Sequence, residues 1–177
     1  EAYVGGLIDS GSGHIHPLNL CLGEAKAASE LGVQIYENTN ALEIAEGSPA
    51  KVLTENGSIE ADYIVIAANA YIGSLNNKLR RMVMPAASCI IATEPLSDEQ
   101  AAKLMPSDMA VCDQNTILDY YRLSADKRML FGGRFNYSGK IPSDERIKVE
   151  IKKRMVSVFP ELSETKVDYG WSGNVAV

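Results

Sequence analysis

The stretch that most constrains the fold is a continuous apolar run, Ile64–Ala68, which no polar residue interrupts. Such a run predicts a strand buried on both faces, as in a parallel sheet that helices cover. Small residues continue from its end as far as Ala70. Ligands of open α/β sheets bind outside the carboxyl ends of the strands, where small side chains let the backbone come close to them. The alternative is a plain core strand that runs into a turn.

The composition argues against some classes of binding partner. The 177 residues carry a formal net charge of −6, and the absence of a run rich in Lys and Arg argues against nucleic acid as a partner. The sequence has no apolar run long enough for a membrane span and no signal-peptide pattern. Cys21, Cys89 and Cys112 are widely spaced, so we predict reduced thiols in a cytoplasmic protein. Because both ends read as strands and no Met opens the chain, we expect a fragment of a longer protein.

Hydrophobic spacing and turn residues predict the elements. The predicted helices are 17–31, 97–104 and 144–159, and the predicted strands include 3–8, 33–37, 109–113, 117–123, 128–132 and a hairpin around Asn56-Gly57. A helix with short strands comes first, and a meander with a further helix follows. This order indicates an α/β (α+β) fold in two parts, the second with a mostly antiparallel sheet and flanking helices.

His14 and His16 are the only histidines, and a glycine-containing loop leads into them. Residues two apart in a strand share a face, but no carboxylate or cysteine nearby completes a metal site, so we predict none. The pair is better placed as neutral proton donors beside a substrate. One histidine that caps or packs at the start of the helix is the alternative.

A polar and aromatic strand segment runs from Asp119 to Arg122. Alternation puts Tyr121 on one face and Tyr120 and Arg122 on the other. An aromatic hydroxyl on a sheet face can form a wall for a small organic substrate. The alternative is a pair of surface tyrosines in a meander.

Several short motifs, taken in order, resemble the family of flavin-dependent amine and amino-acid oxidases that includes D-amino-acid oxidase, glycine oxidase and sarcosine oxidase. They are Gly13–Pro17, Leu31–Val33, Thr39–Ala41, Asn56-Gly57, Ala61-Asp62, Val65–Tyr71, a Tyr-x-Arg ahead of Phe131–Gly133, and Trp171–Asn174. Each motif alone is weak, but their order and spacing agree over nearly the whole chain. Within the family, the amino-acid sequences of residues 14–20 and 118–124 look closest to those of gamma-glutamylputrescine oxidoreductases.

The resemblance implies an enzyme that uses FAD. The glycine-rich FAD-binding turn of the family, G-x-G-x-x-G, does not occur in these residues. Residues 14–77 would then form the rear of a Rossmann-like FAD-binding domain. Residues 1–13 and 78–168 would form a substrate-binding domain, and residues 169–177 would begin the return to the FAD-binding domain.

The resemblance also implies cofactor contacts. Ala41, two residues after a strand Thr, would contact the adenine end of FAD through its backbone. The turn formed by Ala68, Asn69 and Ala70 would pass beside the nucleotide. The family usually has Gly at the position of Asn69.

On the substrate side, the resemblance implies that Tyr121 lines the pocket and that His14 or His16 tunes the protonation of the amine. Members that oxidise amino acids carry a carboxylate-binding arginine just past Trp-x-Gly, where this chain has Asn174 and Val175. The missing arginine fits an amine with no carboxylate on the reacting carbon, such as a gamma-glutamylated diamine of putrescine catabolism.

The implied reaction is hydride transfer from the carbon that bears the amine to the flavin, which gives an imine and then an aldehyde. The sequence names no acid or base for it. A non-catalytic α+β binding or interaction module stays open as the alternative from another class. The residues do not separate an oxidase from a dehydrogenase, and they give no oligomeric state.

Overall fold

The computed structural model describes residues 2–136 and 141–177, and the backbone falls into two compact units. Unit 1 consists of residues 1–14 and 85–177, as far as these are described, and unit 2 is Ile15–Met84. The sequence put the boundaries at 13/14 and 77/78, whereas the units divide at 14/15 and 84/85. The assignment of FAD and substrate roles to these parts stays a prediction.

Unit 2 contains a long helix and a three-stranded antiparallel sheet. Helix α1 (Pro17–Glu30) is followed at its end by Gly32, which has a φ of 91° that glycine adopts at low cost. The sheet has the order β1-β2-β3, with β1 at Ala41–Ala45, β2 at Ala50–Thr54 and β3 at Gly57–Ala61. A short helix α2 (Asn77–Arg80) completes the unit. The predicted helix and hairpin therefore form.

The buried strand predicted at Ile64–Ala68 is wrong. The segment has no strand structure, and Val65 is 87% exposed. A strand needs a neighbour to complete its hydrogen bonds, and no described strand pairs with this segment. The strands expected at 3–8 and 33–37 are absent for the same reason.

Unit 1 is built on a five-stranded sheet in which every pair of neighbours is antiparallel. Its order is β5-β6-β7-β4-β8, with β4 at Pro85–Pro95, β5 at Val111–Cys112, β6 at Tyr120–Leu123, β7 at Arg128–Asn136 and β8 at Val167–Ala176. Strand β8 pairs with β4 as far as Ala176. The residues predicted to begin a return to another domain, 169–177, therefore lie in this sheet up to that residue.

Two helices cover one face of the sheet. Helix α3 (Asp98–Leu104) begins with a capping box between Ser97 and Gln100, and α4 (Asp144–Val158) follows β7. The core cluster brings both helices against the sheet and includes Ile91, Phe131, Ile147, Ile151 and Met155. A Cβ at Gly170 would lie 2.8 Å from the Lys148 side chain of α4. This close approach fixes the face that the helices cover.

The predicted class, a mixed α/β (α+β) fold with a mostly antiparallel sheet and flanking helices, is confirmed. Among the described helices, none has both the length and the apolar character that a membrane crossing needs.

Candidate functional site

The face of the unit 1 sheet that is turned away from α4 carries a mixed set of polar and aromatic side chains. Directly paired residues of antiparallel strands point to the same face. One row across the sheet is Tyr120, Gly132, Ile90 and Trp171, and the next row is Arg122, Leu130, Ala92 and Tyr169. Ser88 extends the same face along β4. We call this surface the open face.

The ring of Tyr120 lies across the backbone of β7 because Gly132 leaves room for it. A Cβ at Gly132 would lie 2.1 Å from the Tyr120 ring. The Tyr120 hydroxyl reaches Ser88, with 2.7 Å between the two oxygens. Burial raises the pKa of Tyr120, so the phenol keeps its proton near neutral pH. The two hydroxyls together offer both a donor and an acceptor.

Tyr121, the residue predicted to line the substrate pocket, points the other way. Its side chain is 7% exposed, stacks on Phe131 with 5.5 Å between ring centroids, and meets the edge of Phe159 at 5.0 Å. Burial, first of all, raises its pKa, and its hydroxyl bonds to that of Tyr3. The structure thus puts Tyr121 in the core and turns Tyr120 to the open face, because a strand alternates its side chains.

His14 is held at both ring nitrogens within unit 1. Its Nε2 lies 2.9 Å from the carbonyl oxygen of Asp108, and a guanidinium nitrogen of Arg122 lies 3.1 Å from its Nδ1. A carbonyl only accepts and a guanidinium only donates. The proton of the ring is therefore on Nε2, and Nδ1 accepts from Arg122. His14 is thereby tied to a side chain of the open face.

His16 has a local role in unit 2. It is the N-cap of α1, and its Nδ1 accepts a hydrogen bond of 3.2 Å from the backbone N–H of Asn19. This satisfies one of the donors that a helix start leaves unpaired. The structure therefore does not bring His16 and His14 together, and His16 takes the capping role that was the alternative.

An ion pair between the half-exposed Arg154 and the buried Asp119 anchors the strand that carries Tyr120 and Arg122. Asp119 is 4% exposed and accepts two hydrogen bonds of 2.7 Å from Arg154 of α4. Its backbone N–H donates to the carboxylate of Asp113 at 3.0 Å. The Asp119 carboxylate raises the pKa of the Arg154 guanidinium. The fork-shaped contact fixes the start of β6 and therefore the direction of its side chains.

The β8 side of the open face presents two exposed aromatic rings. Trp171 is 42% exposed and Tyr169 is 58% exposed. The Arg128 guanidinium lies 5.3 Å from the centre of the Tyr169 ring and bonds to Asp168 at 2.6 Å. Exposed aromatic surface of this kind is typical of a binding face.

The predicted cofactor residues lie in unit 2. Ala41 is the first residue of β1, and Asn69 begins a 3₁₀ turn that ends at Tyr71. Asn69 has a φ of 48°, and its side chain accepts from the N–H of Ala70 at 2.8 Å. Gly adopts this conformation freely, and Asn is the side chain that tolerates it best. The backbone can therefore follow the path that a Gly would permit.

The same segment is a suitable place for part of FAD. Ala67, Ala68 and Ala70 have small side chains, and the residues from Tyr63 to Ala68 belong to no strand. Backbone N–H and C=O groups outside a ladder need other partners, and a ligand can supply them. A pyrophosphate also needs a glycine-rich turn at a helix start, and these 177 residues have no G-x-G-x-x-G. The residues of this segment therefore fit the nucleotide side of FAD alone.

Sequence reasoning missed Ser88 and Arg122 as members of the candidate site. The signal for Arg122 was present, because the alternation of β6 already put it on the same face as Tyr120. Ser88 gave no signal of its own, because its role depends on pairing between strands that are distant in the sequence.

Comparison with known proteins identifies relatives along the whole chain. The family model described as "DAO: FAD dependent oxidoreductase" matches residues 1–177. "Probable oxidoreductase OrdL" of Haemophilus influenzae is 43% identical over 180 residues, which covers 99% of this chain and 40% of that protein. "Gamma-glutamylputrescine oxidoreductase" of Escherichia coli is 42% identical over 176 residues, which covers 98% of this chain and 41% of that protein. The chain thus spans about 40% of the length of these relatives.

Solved structures share the fold. Glycine oxidase from Geobacillus kaustophilus matches with a TM-score of 0.70 at 21% identity, over 89% of this chain and 41% of that one. L-proline dehydrogenase from P. horikoshii matches with a TM-score of 0.72 at 17% identity, over 90% of this chain and 43% of that one. The two structures show the shared fold, and the family model over residues 1–177 confirms the resemblance that the sequence motifs indicated.

Proposed function

Since this chain belongs to the family of FAD dependent oxidoreductases, whose cofactor is FAD, we propose that it is the middle part of an enzyme that oxidises an amine. The product is an imine that water converts to an aldehyde. The family match favours an enzyme over a non-catalytic binding module. The chain covers about 40% of its relatives, so the activity belongs to the whole protein.

The observation that carries the proposal is the open face of unit 1. A hydroxyl pair, Tyr120 and Ser88, stands beside two exposed aromatic rings on a sheet that is otherwise closed by helices. Apolar side chains with a few convergent polar groups are the lining that small-molecule sites use. The proposed substrate-binding role therefore moves from Tyr121 to Tyr120.

The substrate class that we propose is a gamma-glutamylated diamine. The relative from Escherichia coli is named for gamma-glutamylputrescine and is 42% identical. The positions just past Trp-x-Gly are Asn174 and Val175, so an amine with no carboxylate on its reacting carbon fits. We propose a place in putrescine catabolism in the cytoplasm, and the three cysteines, which form no disulfide in the described structure, are compatible with a reducing compartment.

The residues of this chain would bind and orient, and the chemistry that FAD supplies is the uptake of two electrons, as hydride, from the carbon that bears the amine. The Tyr120 and Ser88 hydroxyls would hold the amine end by hydrogen bonds, with the phenol protonated. Trp171 would exclude water from one side. Ala41 and the turn Ala68–Ala70 would contact the nucleotide side of FAD through their backbone.

The parts of the chain would divide this work. Unit 2, which contains most of residues 14–77, would be the rear of the FAD-binding domain. Unit 1 would be the substrate-binding domain. Its last strand, β8, would belong to the substrate side as far as Ala176.

An absorbance spectrum of the full-length protein tests the proposal. We expect flavin bands in the visible region that bleach when gamma-glutamylputrescine is added without oxygen. Putrescine itself is the matched control and should bleach the flavin far more slowly. Flavin bands that gamma-glutamylputrescine leaves unchanged would overturn the substrate, and a colourless folded protein would overturn the oxidoreductase.

A further inference from the structure

We propose that Arg122 binds the carboxylate at the far end of the substrate and so selects amines that carry one. The inference rests on the proposed function, since it concerns how the same open face recognises a gamma-glutamylated diamine. Such a molecule has the reacting amine at one end and a free carboxylate at the other. Arg122 lies on the open face that would bind this molecule.

Among the arginine side chains of unit 1 that the structure describes, Arg122 is the one without an acidic partner. Arg128 pairs with Asp126 and Asp168, Arg146 with Glu150, and Arg154 with Asp119. Among the residues that the structure describes, Arg122 bonds only to His14. Its half-buried guanidinium has five donors, and a carboxylate can accept two of them side by side. A carboxylate is therefore the chemical group that this side chain lacks.

His14 serves as the positioning residue for Arg122. Its Nε2 is bonded to the carbonyl of Asp108 at 2.9 Å, so the ring cannot turn without losing that bond. Its Nδ1 then takes one N–H of the guanidinium. A neutral acceptor orients the guanidinium and leaves its positive charge intact. Charge remains available for a ligand.

The spacing on the open face agrees with the length of the substrate. The Tyr120 hydroxyl is bonded to Ser88, and Arg122 stands in the row of Ala92. Ser88 and Ala92 are four positions apart on β4, which is about 13 Å in a strand, and Arg122 lies on β6, two strands or about 10 Å to the side of β4. In gamma-glutamylputrescine, about ten bonds separate the amine nitrogen from the carboxylate carbon, or about 12 Å when extended. The long Arg122 side chain makes up the remaining distance, so one end can meet the hydroxyl pair while the other meets Arg122.

The surface between the two polar ends is apolar. Ile90 lies on the open face between the row of Ser88 and that of Arg122, Leu130 stands beside Arg122 in its row, and Gly132 leaves the backbone uncovered by a side chain of its own. The methylene groups of a diamine need such a floor, because they offer no hydrogen bonds. The open face and the ligand thus both have polar groups at their two ends and an apolar part between them.

Two synthetic amines isolate the carboxylate. N-glutarylputrescine and N-butyrylputrescine have the same reacting amine and chain, and only the first has a carboxylate at the far end. With the full-length enzyme, we expect kcat/KM to be about 10- to 100-fold higher for the glutaryl amine. Arg122→Met should remove this preference by raising KM for the glutaryl amine to the level of the butyryl amine. Arg146→Met, on the exposed side of α4, is the matched control and should keep the preference.

Arg122→Lys keeps the charge without the fork and should retain part of the preference, and it replaces the Met variant if that one does not fold. Equal kcat/KM for the two amines in the wild-type enzyme would overturn the role of Arg122 and leave the proposed function intact. A preference that persists in both variants would show that another group binds the carboxylate and would equally overturn it. If the wild-type flavoprotein oxidised neither amine nor gamma-glutamylputrescine, the proposed function itself would fail.

Discussion

The two units of this chain differ sharply in how they treat apolar side chains. Unit 1 buries a continuous cluster between its sheet and the helices α3 and α4, in which Ile91 and Phe131 have no exposed surface. In the described residues of unit 2, Ile72 is the only buried hydrophobic side chain. Helix α1 has no buried residue at all. Unit 1 thus has a core of its own, and unit 2 has none.

Because of this difference, the structure of unit 1 can be interpreted by itself, whereas that of unit 2 cannot. In unit 1 the apolar side chains of the core pack on the α4 side of the sheet. The polar and aromatic residues of the open face are therefore able to bind a ligand. In unit 2 the apolar residues stay exposed, and burial of apolar area is the main source of stability. Since the chain spans about 40% of its relatives, we expect unit 2 to depend on surfaces that lie outside these residues.

The largest expected effect contrasts one buried and one exposed isoleucine. Ile91→Ala in the core of unit 1 should lower the free energy of unfolding of the 177-residue chain by about 3–4 kcal/mol, through lost burial and a cavity. Ile59→Ala in β3, where the side chain is 47% exposed, should cost about 0.5 kcal/mol. Urea unfolding followed by circular dichroism measures both. Equal losses would contradict the view that only unit 1 has a core.

A smaller contrast uses two glycines. Gly132→Ala should destabilise unit 1 by about 1–3 kcal/mol, because the new methyl group meets the Tyr120 ring and displaces it from Ser88. Gly23→Ala in α1 meets no atom within 4 Å and should stabilise the helix by about 0.5–1 kcal/mol. Thermal unfolding of the two variants checks the signs. A stabilised Gly132→Ala variant would mean that the ring does not lie across Gly132.

The smallest expected effect is a pH dependence. Burial raises the pKa of Tyr121 above its ordinary value of 10.0, so the folded state holds this proton after the unfolded state has lost it. The contribution of Tyr121 to stability is therefore constant below about pH 10 and falls as the pH rises further. Tyr121→Phe should reduce the slope of stability against pH by the amount that about one bound proton contributes. Tyr63→Phe, exposed in unit 2, is the control, and an equal change in both variants would refute the burial argument.

The sequence predicted the elements whose signals are local. Pro17 and Gly32 bracket α1, the hairpin predicted around Asn56-Gly57 forms with Glu55 and Asn56 in its turn, and the spacing of α4 matches its buried residues. It failed at Ile64–Ala68, because an apolar run becomes a strand only if a neighbouring strand is there to pair with it. It also chose Tyr121 over Tyr120, because alternation separates the two faces of β6 and does not tell which face the helices cover.

The family and its cofactor could be predicted because the motifs are spread over the whole chain. The open face could not, since Ser88, Tyr120 and Arg122 come together only through the pairing of β4, β6 and β7. The tie between His14 and Arg122 joins residues that lie far apart in the sequence. No local pattern contains that information.

The most direct test of the account is a crystal structure of the full-length flavoprotein after anaerobic addition of gamma-glutamylputrescine. We expect the ligand on the open face, with its amine end beside the Tyr120 and Ser88 hydroxyls and its carboxylate within hydrogen-bond distance of the Arg122 guanidinium. Its methylene groups should lie over Ile90 and Leu130. A ligand bound elsewhere, with the open face covered by other parts of the protein, would contradict the assignment of this face to the substrate.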